Sequence, residues 1–589
     1  MDAVRVYLGL AAKGQAIDPR ILDRARSVIE TAFPVPPDVI RGQEWHGAGV
    51  SLFAWSNEPD DTRHPPLLHR RPGDGRVTGV NGHLADPADV TRLPDSSVGG
   101  CYSAWTASDR ALTATTAANR ICPVFHAETT GLHIVASRAL LAHLVAQHDE
   151  NLAFDVMALQ TMVRSGYFLS DETPYLGVTA LPPNSRLDVR GGSRTVTREE
   201  LPRAAPAPTT RREKRAALDE LAAALLATVA PLRSAAEPVN LALTGGRDTR
   251  VLAALLHAAK VPFRVTTNGL DTHPDVILAR RIAAELKLEH TVIAPPQTED
   301  RDAMLVEHPL ARAWETLRTC EGMTSAYESI VGYLPYSATP TMSGQGGETL
   351  RAGSLNLLQT DLSDRALLRR IGATFLKDEK LFTAAANEHA REQARPWQER
   401  QDKLEALHHI YLSYRVGRWQ AGARAGALRR GDSVRPYLDN RVVRAALSLD
   451  QRWSLSEEPI YSLILRFAPK LRKIPIEGKP WRFVDGRAGR WPWSHVPPPH
   501  LPTARTGGGW SWRTSPGPAL TDVLREQVLG GLDALETIVN PDEVRAMFAG
   551  PVVSKPATAW NLYTVSTLLT GLYPGKRPEA LERVTVHRP

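Results

Sequence analysis

Over residues 1 to about 205 the apolar positions come in short runs broken by turn residues: "VRVYLGL", "GVSLFAW", "GRVTGVNGHL", "GGCYSAWTAS", "ALTATTA", "GLHIVAS" and "SRLDVRGGSRTVT". Runs of this length and spacing predict β-strands in sheet layers with few helices. From about residue 210 the pattern changes. "VNLAL" leads into a helix from Asp248 to about Lys260, "FRVTTNG" into the helix "HPDVILARRIAAELKL", and "HTVIAP" closes a third strand. In the second of these helices Val276, Ala279, Ile282, Ala283 and Leu286 recur at three- to four-residue steps and make one apolar stripe. Such alternation implies a parallel sheet with helices on its faces. After residue 360 the pattern is mainly helical, interrupted by a Pro-, Gly- and Trp-rich stretch from about 484 to 520 that reads equally as an ordered lid or as disordered chain. The Pro- and Ala-rich "PRAAPAPTTRREKRAA" marks a linker, which places domains at 1–205 and 206–589.

Composition narrows the class. A chain of 589 residues exceeds one core, and 42% hydrophobic with 23% charged residues is ordinary globular usage. The net charge of +7 is thinly spread, and Arg-rich runs such as "GARAGALRR" and "RRGDSVRP" read as solvated faces, so no nucleic-acid partner is expected. Three cysteines, Cys101, Cys122 and Cys320, rule out a disulfide framework and fit a reducing cytoplasm. The adjacent His408 and His409 have no Cys/His cluster around them and read as surface residues rather than zinc ligands. The apolar start of the chain is too short for a secretory signal, and "LAAALLATVAPL" falls short of the roughly 18 residues a bilayer span needs. No membrane partner is expected.

The chemistry concentrates at "LALTGGRDTR", residues 241 to 250. A strand that ends in glycines and passes at once into a helix offers free backbone N–H groups and the positive end of a helix dipole to an anion. Gly245 and Gly246 allow close approach, Thr244 and Thr249 supply hydroxyls, and Asp248 can hold a magnesium ion against phosphate charge. The plain alternative is a tight turn with Asp248 as helix N-cap. GxxxxGK[ST] is absent, so this is not a Walker-type loop.

The turn resembles the SGGxDS pyrophosphate loop of the ATP-pyrophosphatase group, and the asparagine synthetase family in particular. "TMSGQGGETLRAG", residues 341 to 353, resembles that family's SGxGxDElfgG segment, and "VRPYLDNRVV" its R-x-PFLD stretch. "APKLRKIPIEGKPW" is similar to its lysine-bearing loop, "SGYFLSDETPYLGVTALPPNSRLDV" to its connection between domains, and "GGCYSAW" through "ANRICPVFHAETTGLHIVASRALLAHL" to the inner part of its glutamine amidotransferase domain. The resemblance implies an N-terminal Ntn-type αββα-like sandwich followed by a parallel α/β domain of the adenine nucleotide α-hydrolase type with a helical C-terminal part. It also implies ATP and Mg2+, with ATP between strands one and four of the sheet. Leu243, Thr244, Gly245, Gly246, Asp248, Thr249, Val265, Ser343 and Gly344 would hold the nucleotide, Asp248 and Glu348 the metal, and Lys479 the developing negative charge, with Lys473 or Lys470 as the fallback.

Three departures modify that implication. Glutamine-hydrolysing members use an N-terminal cysteine, whereas position 2 is Asp2, so glutaminase activity is expected to be absent. The layout then resembles the β-lactam synthetases and lasso peptide macrolactam synthetases, where a silent amidotransferase-like domain precedes an active synthetase domain. Gln345 stands where relatives carry Glu or Tyr; it cannot act as a base and would orient a substrate group instead. Glu348 replaces an Asp. Arg247 would face either the substrate or solvent, Arg250 surrounds the turn, and Trp314, Arg318 and Glu321 belong to a substrate cleft or to an ordinary helix face. The expected activity is adenylation of a carboxylate on a small molecule or precursor peptide, delivered by a protease or leader-binding partner, followed by lactam formation. An ammonia-dependent asparagine or amide synthetase, and a non-catalytic nucleotide-binding homologue, are the alternatives.

Overall fold

The computed structural model describes residues 4–59, 66–71, 73–147, 151–294, 302–328, 335–353, 361–428, 433–478, 480–483, 500–501 and 511–587. The short apolar runs of the first half form two six-stranded antiparallel sheets. One runs in spatial order Thr179–Ala180, Phe125–Glu128, Leu132–Ala136, Arg5–Ala12, Val50–Ser56, Arg41–His46. The other runs Ser193–Arg198, Ser185–Arg190, Ala111–Thr116, Gly100–Ser108, Val77–Leu84, Leu68–Arg70. They stack through a shared core of Tyr7, Leu52, Trp105, Leu112 and Leu187, in which the Tyr7 and Trp105 rings lie 5.1 Å apart. Helices Pro19–Ser27 and Ala139–Ala146 cover the first sheet. The second sheet is covered by the 3-10 turn Pro87–Arg92 and touched by the helix Asn440–Leu447, which comes from the other half of the chain.

The second half centres on a five-stranded parallel sheet in the order His290–Ile293, Phe263–Asn268, Val239–Ala242, Thr341–Met342, Ser433–Val434. In sequence terms this is 3-2-1-4-5, so the order reverses beside the first strand and opens a crevice at its carboxyl end, between strands one and four. Helices Arg247–Ala258, Pro274–Leu286 and Glu458–Phe467 bury their apolar stripes against it. Val276, Ala279, Ile282, Ala283 and Leu286 are all buried, as the periodicity requires. The fifth strand, at Ser433–Val434, and the antiparallel pair of Ala303–Val306 with Val584–His587 carry no pattern long enough to read. The helical C-terminal part, including Gly517–Gly530 and Pro556–Leu569, shares one core with the helices of the first sandwich: Leu524, Trp560 and Tyr563 join the cluster of Leu140, Leu159 and Met162.

Three surface expectations are corrected. His408 and His409 are buried, at 0% and 5% exposure, with His408 Nδ1 2.5 Å from Gln451 Oε1 and His409 Nδ1 2.5 Å from an Arg400 guanidinium nitrogen. Arg424 and Arg435, from the runs read as solvated faces, are also buried. An adjacent pair of histidines or a row of arginines looks polar in sequence, yet a hydrogen-bond partner across the interior makes burial tolerable. Of the stretch from 484 to 520, residues 484–499 and 502–510 lie outside the described residues, while His500–Leu501 pairs in parallel with Ile476–Glu477. Among the described residues, no helix is long and apolar enough to cross a membrane.

Candidate functional site

The strand Val239–Ala242 ends one residue before Leu243, whose amide donates to Thr266 O at 2.9 Å, the last ladder bond before the turn. The chain then turns through Thr244, Gly245 and Gly246 into the helix Arg247–Ala258. The N-cap is Gly246 and no side chain caps the helix, so Asp248 is not an N-cap and its carboxylate serves another purpose. Thr244 and Thr249 brace the turn: Thr244 N donates to Thr249 Oγ1 at 3.0 Å and Gly246 N to Thr244 Oγ1 at 3.2 Å. Gly245 N donates to Asp275 Oδ1 at 2.6 Å, so a carboxylate from the next helix already meets the amide that the sequence offers to an anion. Leu243 and Val265 are buried in the core, one strand apart.

The second glycine segment arrives from the strand Thr341–Met342 and lies against the first. A Cβ on Gly347 would fall 2.4 Å from Asp248 Cγ, and one on Gly344 3.0 Å from Thr249 Cγ2. Ser343 and Gln345 flank Gly344, and Glu348 is the second residue of the following turn, Gly347–Arg351. The two carboxylates differ in their partners. Asp248 Oδ2 pairs with Arg351 at 2.7 Å, while Asp248 Oδ1 is buried without a hydrogen-bond partner. Glu348 Oε2 accepts from Tyr411 Oη at 3.1 Å. Burial pushes the Asp248 carboxyl up to about 6; Arg351 pulls it down and Glu348 pushes it further up. Burial, reinforced by Glu348, also holds the Tyr411 phenol well above its ordinary range, so it donates rather than ionises.

Tyr411 opens the π-helical stretch Tyr411–Gln420, and such stretches recur where a side chain must be re-aimed at a site. Gln345 Oε1 accepts from Arg435 Nε at 2.9 Å, which leaves the Gln345 amide nitrogen as the group turned away from that contact. Tyr437 Oη donates to Asp248 O at 2.6 Å. Leu438 O then accepts from Asn119 Nδ2 at 2.6 Å, and Asn440 bonds Ser96 O, Val98 O and the Ala118 amide. Six residues, 435 to 440, therefore run from the site to the first sandwich.

The remaining candidates divide. Arg247 does not face open solvent: Arg247 Nε lies 3.0 Å from Glu457 Oε2 and the guanidinium lies over the Trp481 ring at 5.0 Å. Arg250 is buried and donates to Ile474 O, Gly245 O and Pro475 O, tying the turn to the chain that precedes position 479. Trp314, Arg318 and Glu321 belong to the junction of the two halves, not to a cleft beside the turn. Glu321 pairs with Arg138 at 3.0 Å and accepts from Ala139 N and Leu140 N at 3.1 and 3.2 Å. Lys479 lies outside the described residues. Lys470 and Lys473 are exposed on the turn Pro469–Lys473, Lys470 being 4.0 Å from Glu285. Arg351, Glu457, Tyr411, Tyr437 and Asp275 were not foreseen; only Arg351 carried a local signal, as a basic residue three places after Glu348 in a glycine-rich segment. All three cysteines are buried, and none is joined in a disulfide.

Among the described residues no group of three or more His, Cys, Asp or Glu side chains forms a metal cluster. Magnesium takes one or two carboxylates from a protein when phosphate oxygens and water complete its shell. The bare, buried Asp248 Oδ1 beside Glu348 fits that ion.

Residues 220–466 match the family model described as asparagine synthase. No curated protein matches the chain. Similar solved structures include a glutamine phosphoribosylpyrophosphate amidotransferase from B. subtilis complexed with ADP and GMP, at 11% identity, 49% coverage of this chain, 90% of that chain and TM-score 0.24. A structure titled as the allosteric regulatory enzyme of purine biosynthesis follows at 12% identity, 49% and 80% coverage and TM-score 0.23. Likenesses at these scores carry no functional inference.

Proposed function

We propose that this chain, whose residues 220–466 match the asparagine synthase family model, adenylates a substrate carboxylate with ATP and closes a lactam on a peptide or natural-product precursor. The carrying observation is the meeting of the two glycine segments at the carboxyl ends of strands one and four, with Asp248 between them and Oδ1 bare.

In the first step a carboxylate oxygen attacks the α-phosphorus of ATP. The bond to the bridging oxygen breaks and pyrophosphate leaves with its electron pair. The turn Thr244–Thr249 binds that leaving group, its hydroxyl pair fixed in place by the 3.0 Å contact between Thr244 Oγ1 and Thr249 Oγ1. Asp248 and Glu348 would hold Mg2+, which neutralises phosphate charge when bound. In the second step an amine of the same substrate attacks the acyl carbon and gives its proton to a base on the substrate or to solvent, and AMP departs with the electron pair of the broken acyl–oxygen bond. An amine held in the same molecule gains effective concentration worth about 7 to 11 kcal/mol of barrier when well oriented. Gln345, with its carbonyl oxygen held by Arg435, presents N–H donors that suit an acyl or carboxyl oxygen rather than an amine. Lys479, from the resemblance, is assigned to the negative oxygen that develops in both steps.

Hydrolysis of glutamine is not part of the reading: each cysteine is internal and buried, so none joins a thiol to its own α-amino group. The proposed substrate is a carboxylate-bearing small molecule or precursor peptide that brings its own amine, delivered where it is a peptide by a protease or leader-binding partner. The test is substrate-dependent pyrophosphate release. Asp248→Ala should abolish it, and release at the parent rate would overturn the assignment. Stimulation by aspartate only when ammonium is added, and by no peptide, would replace lactam formation with the ammonia-dependent reaction.

A further inference from the structure

Glu457 stands apart from every other carboxylate near the glycine turn. It is 3% exposed and adopts φ 67°, ψ 3°, the left-handed conformation common just past a helix C-cap, here that of the helix Gln451–Leu455. Three segments of the site converge on it. Arg247, the first residue of the helix after the glycine turn, places Nε 3.0 Å from Oε2. Arg351, at the end of the turn Gly347–Arg351, places a terminal nitrogen 3.8 Å from Oε1. The amide of Arg482, from the piece of chain following position 479, donates to Oε2 at 3.2 Å. Arg351 meanwhile holds Asp248 Oδ2 at 2.7 Å with its other terminal nitrogen. Arg247 is further fixed by Pro480 O, which accepts from it at 3.0 Å, and by the Trp481 ring. Both guanidinium groups are mostly buried, at 13% and 14% side-chain exposure, and both border the glycine turn.

We infer that Arg247 and Arg351 form a guanidinium pair that binds the pyrophosphate end of the nucleotide, and that Glu457 is the positioning residue that aims them. The inference rests on the reading that the glycine turn takes a triphosphate. A planar guanidinium with several donors matches two phosphate oxygens at once, which a lysine ammonium does not. Without ligand, Asp248 occupies one side of Arg351. When a cation takes the Asp248 carboxylate, the donors of Arg351 are released beside the turn while Glu457 keeps the side chain from swinging away. Arg351 thus exchanges one anion for another without leaving the site.

The experiment is equilibrium titration of the full-length protein with magnesium pyrophosphate and, separately, with AMP, for the parent, Arg351→Gln, Arg351→Lys, Glu457→Gln and the double variant Arg351→Gln/Glu457→Gln. Arg351→Gln should weaken pyrophosphate binding about ten- to a hundredfold, the range for loss of a charged hydrogen-bond partner, and leave AMP affinity unchanged. Arg351→Lys should fail to restore the parent value. The two single effects should add to more than the double variant shows, because Glu457 acts through Arg351. A merely structural role would lower AMP and pyrophosphate affinity together, and that result overturns the inference. So does pyrophosphate binding by Arg351→Gln at the parent affinity. A parent protein that binds neither magnesium pyrophosphate nor ATP overturns the proposed function itself, and the inference with it.

Discussion

Replacing Gly347 with alanine tests the heart of the site with one methyl group. The new carbon would stand 2.4 Å from Asp248 Cγ, 2.6 Å from Asp248 Cβ and 2.7 Å from Asp248 Oδ1. Carbon atoms rest at about 3.5 to 4.0 Å, so the carboxylate must retreat by about 1 Å. Retreat is opposed on two sides: Arg351 holds Oδ2 at 2.7 Å, and Tyr437 holds the Asp248 backbone carbonyl at 2.6 Å. Gly347 is not in the left-handed region, so alanine meets no backbone penalty there and the effect is one of position. A misplacement of about 1 Å at a reacting centre can cost about a hundredfold in rate. We expect Gly347→Ala to lose about that factor in kcat/KM for substrate-driven pyrophosphate release while its circular dichroism stays that of the parent. The neighbouring Gly346→Ala provides the contrast. Gly346 has φ 85° and its Cβ would strike Leu438 Cδ2 at 2.6 Å, so that variant should lose thermal stability first. Parent-level turnover by Gly347→Ala, with Asp248 demonstrably displaced, would refute a metal role for this carboxylate.

Lys479→Ala should retain magnesium-dependent ATP binding and lose about 10²- to 10³-fold in turnover, the contribution of one donor at a developing oxyanion; equal losses in binding and turnover would remove the assignment. Asn440→Ala deletes bonds at 2.6, 3.1 and 3.1 Å to Ser96 O, Val98 O and Ala118 N across the junction of the halves. At about 1 kcal/mol per bond it should destabilise that junction by about 3 kcal/mol, read as earlier proteolytic cleavage between the halves. His389 lies 2.8 Å from Glu172, and that hydrogen bond raises its pKa above the ordinary histidine value against the opposing effect of burial. A raised folded pKa contributes stability that is full below about pH 6.5 and is lost as pH rises through the folded value. The melting-temperature gap between the parent and His389→Gln should therefore narrow with rising pH over that window, and a gap that widens would reverse the sign.

What the residues disclosed before any fold was known follows the reach of each interaction. The stripe of Val276, Ala279, Ile282, Ala283 and Leu286 is legible because burial on a helix repeats every turn, and all five are buried. The turn from Thr244 to Thr249 is legible for the same reason: its braces, such as Thr244 N to Thr249 Oγ1, span five residues. By contrast, Arg351 reaches Asp248 across 103 residues and Tyr437 reaches it across 189. The glycine-rich segment around Arg351 hints at a site but not at Asp248, and nothing around Tyr437 announces its bond. His408 and His409 were misread because polarity alone suggests exposure, whereas their partners Gln451 and Arg400 come from other elements. The strand Val584–His587 was missed since four residues carry no period of their own and gain meaning only from Ala303–Val306.

The same distinction explains why the charged residues of the site resist reading from sequence. A glycine-rich turn advertises an anion through backbone N–H groups, and those follow from the local chain path. Aiming a guanidinium is a tertiary matter. Arg247 and Arg351 become neighbours only because strands one and four are adjacent in the sheet, and they share Glu457 only because the helix Glu458–Phe467 packs on the helix Arg247–Ala258. Both contacts depend on the 3-2-1-4-5 order. A sheet order that parted strands one and four would keep the glycines, the hydroxyls and Asp248 while separating the arginines. Hence the turn marks which ligand class this crevice takes, and the strand order determines what meets that ligand from the opposite side.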